Sequence, residues 1–161
     1  MQETAVHNKI SKLNTSSQNS FYFQFESRQN NKYIDIKTNS LSPIETSFNH
    51  GYTTEKFILD SLISLDEFFN SIKLNPDIFF SIFLQIFKIV NELSSLNIQF
   101  KLIFNEFIYI HPKLKKITII NSKLLNEFRN DPHDIYFNKI AFKETIQFIT
   151  GLIYKSICGK S

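Results

Sequence analysis

Cysteine is almost missing from this chain: Cys158 stands alone. A single thiol excludes an internal disulfide framework and a cysteine-built zinc site, and it fits a reducing compartment. Tryptophan is absent, and glycine occurs only as Gly51, Gly151 and Gly159. None of the three falls in a G-x-G-x-x-G pattern, so the chain has no glycine-rich loop to cradle a phosphate. Charge of either sign is scarce, with 18 Lys and Arg against 15 Asp and Glu for a formal +3. No basic stripe alternates with aromatics, which leaves nucleic-acid binding without a footprint. His7, His50, His111 and His133 are scattered, without the spacing that a metal site needs. The longest apolar run, Ile78 to Val90, is interrupted by Ser81, Gln85 and Lys88 and reads as too short to span a bilayer. The N-terminus has no apolar core of a signal peptide. These absences predict a cytoplasmic protein with no nucleic-acid or membrane partner, no metal and no cofactor.

What the chain does have is 161 residues that are 42% hydrophobic, with 18 Phe, enough to build a real core. Met1 to Ser20 is polar and lacks apolar periodicity, so residues 1–20 read as a disordered arm before a single domain over 21–161. Phe21 to Phe25 and Lys32 to Lys37 read as strands, the second by its alternation of Ile34 and Ile36 with polar neighbours. Ser40 to Glu55 reads as loop and Phe57 to Ile63 as a further strand. A short helix is expected over Leu65 to Ile72, where the Asp66-Glu67 pair suits a helix start better than acid–base chemistry.

The strongest signal is Asn75 to Leu124. Asn75 can cap a helix, Pro76 suits its first position, and Asp77 complements its positive end. Apolar residues then recur with helical spacing at Phe79, Ile82, Phe83, Ile86, Ile89, Val90, Leu93 and Leu96. Beyond Ser95 the pattern changes to strand-like runs, Ile98 to Phe104 and Phe107 to Ile110. A His111-Pro112-Lys113 turn and a last run from Ile117 to Ile120 complete a hairpin, whose Lys113, Lys115 and Lys116 read as a solvated tip. Leu125 to Lys139 is turn-rich. Ala141 to Cys158 carries a second helical stripe through Phe142, Ile146, Ile149, Ile153 and Ile157.

This order of parts resembles the core of a eukaryotic-type protein kinase domain. Ser64-Leu65-Asp66-Glu67-Phe68 is similar to the family's S-L-x-x-F segment after the hinge, and Ile78 to Leu96 to its long helix. Asn97 to Ile110 (NIQFKLIFNEFIYI) is similar to G-I-I-H-K-D-I-K-P-E-N-I-L-I, and Lys116 to Leu124 (KITIINSKL) to K-V-K-L-I-D-F-G-L. Gly151 to Lys160 resembles the G-x-x-x-Y-E-x-x-T-G-K end of a later helix. The resemblance implies an α+β remnant of the kinase fold: an N-terminal lobe remnant over about 21–63, and a C-terminal lobe core over about 64–161 with a long helix, a hairpin and a second long helix.

It also implies lost catalysis. In kinases the H-R-D Asp accepts the substrate proton, while the loop Asn and the D-F-G Asp hold magnesium. The H-R-D positions here read Phe100-Lys101-Leu102, the Asn position reads Phe107, and D-F-G reads Asn121-Ser122-Lys123. Leu102 cannot take a proton, Phe107 has no oxygen, and one neutral Asn is a poor magnesium ligand. Ile34-Asp35-Ile36-Lys37 is a faint match to the strand whose Lys grips ATP, with Glu45 as its conceivable partner; an exposed Lys ending a strand is the plainer reading. The expectation is an inactive kinase-like protein that acts by binding another protein, or by self-association through apolar helix faces that a truncated lobe leaves uncovered. The alternatives are an unrelated α+β interaction module and a divergent active kinase with relocated residues.

Overall fold

The computed structural model describes residues 11–15, 20–26, 32–73, 75–98 and 107–128, together with Lys143, Ile146, Gln147, Thr150, Gly151, Tyr154 and Cys158. Those residues form a mixed α+β fold of two four-stranded sheets and two helices. The first sheet is antiparallel and takes β1 (Ser11–Thr15), β2 (Ser20–Glu26), β4 (Glu45–Asn49) and β5 (Tyr52–Ile58) in the order β1-β2-β5-β4. The second orders β3 (Ser40–Leu41), β8 (Lys116–Ile120), β7 (Ile108–His111) and β6 (Ile63–Ser64) as β3-β8-β7-β6, with β3 parallel to β8.

Alternation explains the first sheet. In β2, Phe21, Phe23 and Phe25 point inward, and in β5 so do Thr53, Glu55 and Phe57. The register sets Phe21 opposite Phe57 and Phe23 opposite Glu55, so these side chains share one face. A two-residue loop, His50-Gly51, joins β4 to β5 with φ of 51° and 81°. Positive φ at both central positions matches the right-handed twist of a hairpin, and Gly51 takes the second at no steric cost.

Helix α1 (Leu65–Ser71) is capped by Ser64, whose hydroxyl accepts the Glu67 N–H at 3.2 Å. Helix α2 (Pro76–Ser95) starts as its sequence predicts: Asn75 Oδ1 accepts the Ile78 N–H at 2.9 Å, and Pro76 fills the first turn. The Asn75→Ala variant is expected to cost about 1 kcal/mol, the usual worth of such a cap, read as a small drop in urea midpoint. Its other end closes in a Schellman motif. Asn97 adopts φ 61°, its N–H bonds Ser94 O at 3.0 Å, and the Ile98 N–H bonds Leu93 O at 2.9 Å. Leu93 and Ile98 are both buried, supplying the apolar contact that accompanies the motif.

One face of α2 (Ile82, Ile86, Ile89, Val90, Leu93) is core. It lies against β8, where the Gln85 amide donates to Lys115 O at 2.7 Å and accepts the Ile117 N–H at 2.8 Å. By length and composition α2 suffices to cross a bilayer, contrary to the expectation drawn from Ile78 to Val90, because the helix extends beyond that run at both ends. A core helix meets the same criteria. The hairpin β7–β8 turns through Pro112 to Lys115, with the Lys115 N–H on His111 O at 2.8 Å.

Several expected elements differ. The polar arm over 1–20 contains β1, which pairs with β2 through its backbone from Ser11↔Gln24 to Thr15↔Ser20. Lys32 to Lys37 is not a strand; it runs as irregular chain with Ile34 buried. Its end is tied to α2, where the Glu92 carboxylate accepts the backbone N–H groups of Lys37 and Thr38. The loop expected over Ser40 to Glu55 holds β3, β4 and half of β5, and the strand expected to reach Ile63 ends at Ile58. Ile98 to Phe104 lies outside the described residues beyond Ile98, as does most of Ala141 to Cys158. The described positions from Lys143 to Cys158 are helical, and Ile146 packs on the core.

Candidate functional site

Three sequence-selected residues, Asn121, Ser122 and Lys123, follow β8 and open a 3-10 helix (Lys123–Phe128). The fold brings Ser122 and Lys123 to Glu55 on the inner face of β5. Glu55 and Ser122 are fully buried. The Ser122 hydroxyl donates to one Glu55 oxygen, and the Lys123 backbone N–H donates to the other at 3.2 Å. Ser122 Oγ also accepts the Leu124 N–H at 3.0 Å, so the hydroxyl bridges the carboxylate and the helix start.

Tyr33 closes the group. Its hydroxyl lies 2.8 Å from Thr46 Oγ1, and β4 sets Thr46 beside Glu55. The Lys123 ammonium sits 5.1 Å from the centre of the Tyr33 ring. Burial pushes the Glu55 carboxyl above its ordinary value, and hydrogen bonds from Ser122, Lys123 and Tyr33 pull it partly back. Burial also raises the Tyr33 phenol to about 12, with the Thr46 hydrogen bond opposing and the Glu55 charge reinforcing the shift.

Both Glu55 oxygens are thus engaged by donors from the other sheet's terminal turn. The arrangement is a tie between sheets, built from one carboxylate, three hydroxyls and a main-chain N–H, with Glu55 and Ser122 buried and the Tyr33–Thr46 pair at the surface. Among the described residues no group of three or more His, Cys, Asp or Glu is placed to hold a metal ion.

The remaining candidates fall elsewhere. Phe100, Lys101 and Leu102 lie outside the described residues. Phe107 is buried just before β7, its ring 5.1 Å from Phe23. Asn121 donates through Nδ2 to Ile34 O at 3.1 Å and through its backbone N–H to Leu41 O at 2.9 Å, while its Oδ1 is buried without a partner. Lys37 is exposed and belongs to no strand. Its conceivable partner Glu45 is exposed on β4, opposite Lys56 in register. The buried carboxylate is therefore Glu55, which the loop assignment of Ser40 to Glu55 concealed. Its signal was the alternation Thr53, Glu55, Phe57 across T-T-E-K-F.

Between the two sheets the space is aromatic. Phe21 stacks on Phe57 at 5.3 Å and on Tyr109 at 6.0 Å, and Phe23 meets Phe107. Phe21, Phe23 and Phe57 come from the first sheet, Tyr109 from β7 of the second. No protein-family model matches the chain, and neither curated proteins nor solved structures give a significant match.

Proposed function

We propose that the protein is an inactive, kinase-like scaffold of the cytoplasm that works by binding another protein. The observation that carries the reading is the order of parts from Ser64 to Leu124: a capped short helix, a long helix, then a β-hairpin ending at Asn121-Ser122-Lys123. An antiparallel sheet precedes them, as an N-terminal lobe would. Two features support the loss of catalysis. Phosphoryl transfer is mostly positioning and charge stabilisation, which here would have to come from a Phe at the loop Asn position and an amide at the first metal position. Phe107 is turned into the aromatic core, and Asn121 has its Nδ2 committed to Ile34 O.

A thermal-shift titration with ATP, with and without magnesium, tests this. The expected result is an unchanged midpoint in a cooperatively melting sample. Ligand at about a hundredfold its dissociation constant stabilises by roughly 2.7 kcal/mol, which is a rise of several degrees in a domain of this size. A magnesium-dependent rise of that order overturns the inactive reading.

A further inference from the structure

The outward face of α2 is apolar where a solvated helix would be polar. Phe80, Leu84 and Phe87 are 61%, 55% and 43% exposed. At about 100° per residue they lie within an arc of roughly 60°, on the side opposite the buried Ile82, Ile86, Ile89 and Leu93. The half-buried Phe83 bridges the two faces, stacked on Phe79 at 6.0 Å and on Phe87 at 6.3 Å. Large apolar side chains gathered on one exposed arc mark an interaction surface.

The charges beside this stripe say what fits it. Asp77 and Lys88 are both exposed and lie on the same flank, about three helical turns apart. In an antiparallel pair of identical helices, equivalent flanks meet with their order reversed. In a parallel pair each flank meets the opposite one. We propose that the partner of this face is a second copy of the chain, docked antiparallel along Phe80, Leu84 and Phe87 about a two-fold axis near Phe83. Asp77 of each copy then faces Lys88 of the other, one pair at each end of the seam. Leu84 lies beside the axis, and Phe80 of one copy packs toward Phe87 of the other. The interface is isologous, so it closes as a dimer.

Aromatic side chains present about 150–250 Å² when fully exposed, so the observed fractions leave on the order of 300 Å² of apolar surface per copy. A standard interface buries about 800 Å² per partner. The dimer is therefore weak and exchanges readily, and the two ion pairs set its direction more than its strength. The inference goes beyond the kinase-like reading and needs only this helix face; nucleotide binding or its absence leaves it untouched.

Sedimentation velocity of the full chain, from low micromolar to millimolar concentration, is the test. A concentration-dependent monomer–dimer equilibrium is expected. Leu84→Glu, which puts a charge beside the axis, abolishes it. Lys88→Asp turns both end pairs repulsive and weakens association by roughly tenfold, and adding Asp77→Lys in the same chain restores it. Circular-dichroism melts check that each variant folds. Lys88→Asp lies mid-helix on the surface, so its result stands even if Asp77→Lys weakens the helix start. A chain that stays monomeric throughout overturns the proposal, as does a dimer indifferent to Leu84→Glu or a double swap weaker than Lys88→Asp. So does a monomer that floats with anionic vesicles in a Leu84-dependent way, since the face then belongs to lipid.

Discussion

Phe23→Ala is expected to lower stability by about 4 kcal/mol, the range for emptying a fully buried aromatic position, and to drop the melting midpoint by about 10 °C. The size follows from position. Phe23 has no exposed surface, and its ring is 4.9 Å from Phe21, 5.7 Å from Phe57 and 5.1 Å from Phe107. The first two contacts lie within the antiparallel sheet. The third crosses to the chain entering β7, so the ring joins the two halves of the core. Truncation removes transfer free energy and leaves a cavity that stiff β-sheet neighbours cannot collapse. A double-mutant cycle with Phe107→Ala isolates the crossing contact. An edge or offset aromatic pair contributes about 0.5–1.5 kcal/mol beyond its area, and the cycle should return a coupling in that range. Additive losses would mean that Phe23 and Phe107 share no packing contact that joins the two halves of the core.

How much of this was legible in the sequence depends on where each element finds its partners. Helix α2 carries its own instructions: cap, Pro76, Asp77 and an apolar stripe lie within the segment, and the structure places the boundaries within a residue or two of expectation. The hairpin from Phe107 to Ile120 was legible for the same reason, since both strands are apolar and adjacent. Strand β4 was not. Every residue in it is exposed, so it is held by the His50-Gly51 turn and the ladder to β5 rather than by a buried face. Strand β1 likewise pairs through backbone groups that composition does not reveal. Lys32 to Lys37 misled in the opposite sense. Its alternation is real and buries Ile34, yet the N–H groups at its end go to a side-chain carboxylate on α2 rather than to a neighbouring strand. At the candidate site, Asn121, Ser122 and Lys123 were singled out by motif position alone. Glu55, the group that gives Ser122 and Lys123 a physical role, sits 67 residues from Ser122 in the chain, beyond any local pattern.

That tie yields the second large effect. Glu55→Ala is expected to cost about 3 kcal/mol, because it leaves the Ser122 hydroxyl and the Lys123 N–H buried without their acceptor, at roughly 1–3 kcal/mol for each orphaned donor. Glu55→Gln keeps the volume and one carbonyl acceptor, and Ser122 Oγ can receive the new amide hydrogen, so its cost at neutral pH is small. The two variants part further with pH. Burial raises the folded-state pKa of Glu55 above its ordinary 4.5. At pH values between the two, the folded protein holds a proton that the unfolded chain has released, so stability increases as pH falls through that window. The contribution is fully present below 4.5 and is lost as pH rises through the folded pKa. Wild-type stability should therefore gain on that of Glu55→Gln as the solution is acidified through that window toward 4.5, measured as the difference between their urea midpoints. Ser122→Ala should move the window upward, since it removes a hydrogen bond that favours the charged carboxylate. A midpoint difference that stays flat from neutral pH down to 4.5, or that shifts in favour of Glu55→Gln as the acid side is approached, would show that the folded protein does not hold a proton on Glu55 above its ordinary value. The tie that joins β5 to the turn after β8 would then be that of an ionised carboxylate to its donors.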